Sequence, residues 1–365
     1  MPLGQWTARS SASWLTLSPS SGTGNAVVTY TFTANSLAAG RIATLAIAGR
    51  TFAVAQAGTA GRFIPWGPTA HGWIQSPAGN GQIPQYTSPI GDGTPATLVA
   101  ISANGIGVDG NANFWFTDTY RQTVRRVDST TGYIGTIAGT GTAGYSGDGG
   151  PASTAMIQAG PVTADQAGNI YLADSTDNVI REISAATGQI STIAGGGMAP
   201  DGYSATQAAI SQPAGMFVDA GGNIYFADSG SNRIRRIDSA TGVISTVAGN
   251  GVFGTSGDGG AATAASLDAP TGVAIDSIGN IYISSGSRIR KVNTSGNITT
   301  LGVVASYGTL AIDGSDHLFV TTAGGNSSSS PQIQQIDTAS GQLTAIVGGG
   351  TYASIGDGDR LLAPI

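Results

Sequence analysis

Chemistry in this 365-residue chain falls to aspartate, because the other usual carriers are scarce. There is one glutamate, Glu182, two histidines, His71 and His317, and no cysteine. Without cysteine there is no thiolate metal site, no cysteine nucleophile and no disulfide frame. Neither histidine has a partner histidine at ligand spacing, whereas zinc needs three or four His, Cys or carboxylate ligands. A structural or surface role is the expectation for both. A nucleophile elbow is missing too, since residues 144–148 and 254–258 read GYSGD and GTSGD and break G-x-S-x-G at its last position. Aspartate, by contrast, is patterned. Asp92, Asp148, Asp258 and Asp357 each sit in Gly-Asp-Gly, Asp201 holds the corresponding place in PDGYSATQA, and Asp118, Asp174 and Asp228 close the apolar runs FWFTD, IYLAD and IYFAD.

Two other motifs invite a ligand. Residues 139–150, GTGTAGYSGDGG, open with G-x-G-x-x-G, which cradles a phosphate only where it follows a strand and opens a helix inside a βαβ unit. Residues 109–113, DGNAN, begin like a calcium loop, yet Phe114 stands where glycine is required and the closing glutamate is absent. The expectation there is an Asx-type hairpin turn.

The elements that must position these residues are strands. Glycine is very abundant, 57 residues, and charged residues are only 10 per cent, against roughly 25 per cent in ordinary globular chains. Short runs of Val, Ile, Thr and Tyr are bounded by Gly, Asn, Asp and Ser, an all-β pattern. Residues 165–174 (DQAGNIYLAD), 219–228 (DAGGNIYFAD) and 276–285 (DSIGNIYISS) are copies of one unit, with looser copies at 109–118 and 313–322. Around each copy lie four short strands, a to d, which makes each unit a propeller blade. Five complete blades are expected, at about 103–138, 160–194, 214–248, 271–304 and 308–347. The glycine-rich stretch recurs as GNGVFGTSGDGG at 249–260. It is therefore the crossing from strand d of one blade to strand a of the next, feeding at most one helical turn at 151–156 and 261–267, and the phosphate reading fails.

The unit P-x-G-V-A-x-D-x-x-G-N-I-Y-x-A-D-x-x-x-N-R-I-R-R-I-D-x-x-T-G-x-I-S-T-V-A-G, best seen at 213–249 and 270–301, resembles the NHL repeat. That resemblance covers about four fifths of the chain and implies a six-bladed β-propeller. Residues 1–58 differ. Alternation at 27–33 and 42–48, with Trp6, Trp14, Asn35, Arg41 and the closing Val54-Ala55-Gln56, resembles the BACON domain, a small β-sandwich. The division expected is 1–58 BACON-like and N-terminally truncated, 59–71 linker and 72–365 propeller. Residues 72–81 align without gaps on 242–251, so 72–79 reads as a lone strand d of a sixth blade. Its strands a, b and c are missing at the other end, where 361–364 repeats 267–270 and the chain stops at Ile365, so the expectation is a fragment with an exposed flank on its first and fifth blades.

Crossings and b-to-c turns share one face of a propeller. That face should collect Asp92, Asp148, Asp201, Asp258, Asp118, Asp174 and Asp228 with Tyr145 and Tyr203. One reading has each aspartate capping its own loop; the other is a shallow polar groove for a glycan, peptide or cation. The inner strands are expected to line a channel with Gly215, Phe217, Gly272 and Ala274 and no metal cluster. The b-to-c loop at 323–331 is the longest departure from the repeat.

Net charge −6 and pI near 4.7 oppose nucleic acid and anionic membrane as partners. No apolar run is long enough to span a membrane, and the first 17 residues lack a secretory apolar core. The two resemblances imply a bacterial extracellular or cell-surface protein that binds a protein or carbohydrate without catalysis or cofactor, calcium being possible but not favoured. The alternatives are a lyase- or lactonase-type propeller enzyme with a metal in its channel, and a structural spacer in a larger adhesin.

Overall fold

Alternating runs bounded by turn residues form strands here, not helices, because β-branched side chains pack well on a pleated surface and glycine supplies the turns. In the computed structural model, residues 5–23, 28–33, 41–47, 50–56, 73–74, 78–79, 84, 90–304, 308–322, 332–348 and 358–359 are described. They fall into two compact units, Met1–Ala70 and His71–Ile365. The first unit has a four-stranded sheet ordered Ser21–Thr23, Gln5–Ser10, Arg41–Ile47, Arg50–Gln56, and a two-stranded one of Leu15–Ser18 and Thr29–Phe32. Leu15 is buried and packs with Ala12, Trp14, Leu17 and Ile47, joining the two sheets.

The second unit is a β-propeller of antiparallel meanders. Blade 1 has strands a to d at Ala103–Val108, Phe114–Asp118, Thr123–Val127 and Tyr133–Ala138. Blade 2 has Val162–Ala164, Ile170–Asp174, Val179–Ile183 and Ile190–Gly195, and blade 3 has Pro213–Val218, Ile224–Asp228, Arg233–Ile237 and Ile244–Ala248. Blade 4 is Pro270–Ile275, Ile281–Ser285, Arg288–Val292 and Ile298–Val303; blade 5 is Leu310–Ile312, Leu318–Thr322, Gln332–Ile336 and Leu343–Gly348.

Each a-to-b turn is an Asx turn. Asp109, Asp165, Asp219, Asp276 and Asp313 accept the N–H four residues on through Oδ1, and Oδ2 meets that residue's side chain, Asn in four blades. In blade 5 it is His317, whose Nδ1 lies 2.8 Å from Asp313 Oδ2. His317 thus sits in the turn ahead of strand b, doing the work of asparagine. The calcium-like DGNAN is this turn too, with Ala112 at φ 60° where blades 2 to 4 place glycine. The G-x-G-x-x-G crossing meets only a 3₁₀ turn, Ala152–Thr154.

Apolar cores lie between successive blades. Trp115 and Val124 of blade 1 join Ile170 and Leu172 of blade 2, and Ile180 of blade 2 joins Phe226 and Ile244 of blade 3. A fully buried side chain of this size contributes about 1.5–3 kcal/mol over leaving it exposed. This geometry corrects the expected channel lining. The sheets stand radially, so strand-a side chains turn toward neighbouring blades. Phe217 and Ala274 pack in the core between blades 4 and 5, and Phe217 also reaches the core between blades 3 and 4. Gly215 faces Thr271 and Gly272 of blade 4, and Gly272 faces Thr309 and Leu310 of blade 5.

Within the stretch expected as a lone strand d, Trp73–Ile74 forms a short strand paired with Gly358–Asp359. Ile74 opposite Gly358 matches the other crossings, where Gly149, Gly202 and Gly259 donate to Ile190, Ile244 and Ile298 of strand d. Among the described residues no further strand joins that pair. Ile106 and Val108 on strand a of blade 1 are 63% and 52% exposed. Their counterparts Met216 and Val218 pack against the preceding blade. The loop at 323–331 lies outside the described residues.

Gly215→Val tests the close approach of inner strands. A Cβ there would lie 2.5 Å from the Thr271 carbonyl oxygen, so the substitution should cost about 1–3 kcal/mol in urea unfolding. Gly135→Ala, which meets nothing within 4 Å, should stay within about 0.5 kcal/mol of the parent. Equal midpoints for all three proteins would refute the account.

Candidate functional site

The patterned aspartates are fastened to strand-c arginines, whose partners lie too far off in sequence to form a motif with them. In the third position of strand c stand Arg125, Arg181, Arg235 and Arg290. Arg125 pairs with Asp92 at 2.8 Å, Arg181 with Asp148 at 2.6 Å and Arg290 with Asp258 at 2.8 Å, and Arg235 pairs with Asp201. The guanidinium side chains are 0–5% exposed and the carboxylates 36–44%. Each pair therefore buries its cation and shows its anion to water.

The same arginines hold the crossing backbone. Arg181 donates to the carbonyls of Met156 and Ser146 at 2.9 and 2.7 Å, and Arg125 to that of Ile90 at 2.8 Å. A strand-d threonine directly opposite the arginine completes the contact. The Thr192 and Thr246 N–H groups donate to Asp148 and Asp201 at 3.0 and 2.8 Å, and the Thr136 hydroxyl donates to Asp92 at 3.1 Å. Burial opposes the charge on Asp148, but Thr192 and Arg181 outweigh it and hold that carboxyl below its usual range. The glycines flanking these aspartates serve the turn, with φ of +89° and +80° at Gly147 and Gly149.

The sequence contained a signal for this triad. Blade 5 is entered by a short crossing without Gly-Asp-Gly, and there Gln334 and Ala345 stand in place of arginine and threonine. Aspartate, arginine and threonine are present together in four blades and absent together in the fifth. Asp357 lies outside the described residues.

The strand-b aspartates belong elsewhere. Asp118, Asp174 and Asp228 are fully buried, which corrects the expectation that they contribute to a surface groove. Asp118 accepts the N–H groups of Tyr120 and Arg121 and pairs with Arg121 at 3.2 Å. Asp228 accepts the Ser211 N–H and pairs with Arg235 at 3.1 Å. Asp174 departs from this pattern. Its Oδ1 accepts from the Thr176 and Asp177 N–H groups, while Oδ2 is buried without a hydrogen-bond partner, Arg181 being committed to Asp148. Burial pushes the Asp174 carboxyl up; the Asp177 N–H pulls it back, and the Asp177 carboxylate adds to the push.

Both tyrosines remain on the loop surface. Tyr145 is anchored, its hydroxyl 2.8 Å from Thr192 Oγ1 and its ring 5.0 Å from the Arg181 guanidinium carbon. Tyr203 is 55% exposed. At the inner rim of this face, between blades 2 and 3, an open cleft of about 650 Å³ is lined by uncharged groups including Ser175, Thr176, Asn178 and Gln212. Among the described residues no three His, Cys, Asp or Glu side chains are grouped so as to hold a metal ion. His71 lies outside the described residues.

The Teneurin NHL domain model matches residues 252–313, and the BACON model, a putative N-terminal binding domain, matches residues 4–57. Teneurin-3 of Mus musculus and of Danio rerio are each 40% identical over 92 residues, 22% of this chain. The match spans only 3% of the length of those curated relatives. A structural genomics protein of unknown function from Bacteroides thetaiotaomicron has a similar fold, with TM-score 0.54 and 12% identity over 99% of this chain and 83% of that one. Virginiamycin B lyase from Staphylococcus aureus gives TM-score 0.42 and 19% identity over 69% and 71% of the two chains. A likeness that slight says nothing about catalysis.

Two experiments follow from the paired carboxylates. Asp148→Asn strands a buried guanidinium and should cost about 3 kcal/mol. Arg181→Met leaves a carboxylate that water can reach and should cost less. A carboxyl lowered on folding contributes stability above the ordinary carboxylate range and loses it as pH falls through its folded value, so the Asp148→Asn deficit should shrink in acid. Asp174 has the opposite sign. A raised carboxyl is stabilising in full only below the ordinary range, and that contribution is lost as pH rises through its folded value. Asp174→Asn should therefore melt above the parent at neutral pH and level with it in acid; a variant that melts lower at every pH would contradict this.

Proposed function

We propose that this chain, in which a BACON domain precedes an NHL-type β-propeller, is a non-catalytic interaction module of a bacterial extracellular or cell-surface protein that recognises a protein or carbohydrate through its crossing loops. One observation carries the reading: the same Asp–Arg–Thr fastening, its guanidinium buried, holds crossings whose outward residues differ from blade to blade. Tyr145 stands on the crossing into blade 2, Met198 and Tyr203 on that into blade 3, and Val252 and Phe253 on that into blade 4. A constant framework with variable, pre-ordered tips lowers the ordering cost of binding. The repeated carboxylates, engaged in scaffolding, are not needed as acids or bases.

The acidity of the chain supports a partner other than nucleic acid. No helix among the described residues is long and apolar enough to cross a membrane. The reading requires no cofactor.

The test is retention on arrays of surface glycans and secreted proteins. Binding should be lost in a Tyr203→Ser, Phe253→Ser double variant whose Tm stays within about 2 °C of the parent, as surface changes do. Metal-dependent turnover of a lactone or cyclic ester would overturn the proposal and favour the enzyme alternative. Millimolar calcium should leave Tm unchanged, because only a ligand of the folded state raises it; a rise abolished by Asp148→Asn would establish a cation site.

A further inference from the structure

We infer that the crossing-loop face docks a protein segment that is apolar at its centre and basic at its rim. The inference rests on the interaction reading above and adds the chemistry of the partner. Two observations converge on it.

The first is apolar surface on stiff loops. Met198 is 90% exposed and Phe253 66%, and Tyr203 and Val252 are more than half exposed. The backbone beneath them is fixed. Ala199 N–H donates to the Gln207 carbonyl at 2.8 Å, Ala209 N–H to the Ala199 carbonyl at 3.1 Å, and Gly254 N–H to the Leu267 carbonyl at 3.1 Å. Large apolar groups held rigidly in water make good anchors, since little freedom remains to be lost on binding.

The second is the sense of the charge pairs. All four guanidinium groups point inward and all four carboxylates outward, so the face presents anionic edges although each pair is neutral in sum. Exposed Asp177 adds to this on blade 2, while the partly exposed Arg121, Arg233 and Arg288 offset it on blades 1, 3 and 4, and Asp268 of the crossing into blade 4 is partly exposed as well. The basic rim of the partner should accordingly lie over blade 2 and its apolar centre over Met198 and Phe253. A neutral glycan has no charge to match this arrangement, and an acidic glycan or a uniformly acidic protein would be repelled.

Three synthetic 15-residue peptides test this against the full chain by fluorescence anisotropy: alternating Lys/Leu, Glu/Leu and Lys/Ser. The Lys/Leu peptide should bind, weaken at least tenfold from low to high salt, and weaken at least tenfold with Met198→Ser plus Phe253→Ser. Ile278→Ser, on the opposite face, should leave binding unchanged. Equal binding of Lys/Ser would reduce the effect to bare charge, and equal or tighter binding of Glu/Leu would remove the charge argument; either overturns the inference. Should no peptide bind while a glycan binds in a Tyr203-dependent way, the inference fails and the interaction reading stands. Binding by neither, together with lactone turnover, would remove both.

Discussion

A guanidinium held out of water in each of four blades is the constraint on which the loop face depends. Arginine cannot shed its charge at any ordinary pH, so burying it demands a counter-ion and acceptors for its N–H donors; Arg181 has one at Nε, whereas Nε of Arg125, Arg235 and Arg290 is buried without a partner. Desolvating such a charge costs several kcal/mol, recovered only where the geometry is good. Here the counter-ion comes from a crossing loop more than 30 residues away in sequence. A loop that supplies it must lie down on strands c and d, which sets the path of the crossing, the positive φ of its glycines and the exposed posture of its tips. The long glycine-rich crossings are thus ordered from below.

Neighbouring blades are joined by a second repeated device. The side-chain carbonyls of Gln122, Asn178 and Asn232, residues in the left-handed region at the b-to-c turn, accept the N–H of Ala159, Gln212 and Ala269 at 2.8, 2.7 and 3.1 Å. Blades 1, 2 and 3 thereby each grip the entry of the next, beside inner strands brought close by glycine. A side-chain amide does this well because it offers an acceptor without a charge to desolvate. The fasteners are not uniform from blade to blade. Blade 5 lacks the ion-pair triad altogether, and blade 2 carries Asp174 with an orphaned oxygen and Glu182 where blades 1, 3 and 4 carry Arg126, Arg236 and Lys291. Burial and the nearby Asp165 push the Glu182 carboxyl up. Among the described residues, blade 2 therefore concentrates the unbalanced acidity of the propeller.

Much of this was legible from residues alone. Period-two alternation, Asx turns and Gly-rich crossings are local features, so strand order, the limits of five blades and the failure of the phosphate and calcium motifs follow from short stretches. The Asp–Arg–Thr association was also written in the sequence, in its joint absence from blade 5, but as a correlation without distances. What folding decided is the destination of each polar group. Asp118 and Asp148 belong to similar-looking polar turns, yet one is sealed in the blade and the other stands half in water. Strand-a residues taken for channel lining pack between blades because sheets radiate from the axis, a direction that alternation cannot encode. The sequence determined which groups are present and how often they repeat. Burial and pairing depend on segments tens of residues apart meeting in space, and only the tertiary structure decides which of them meet.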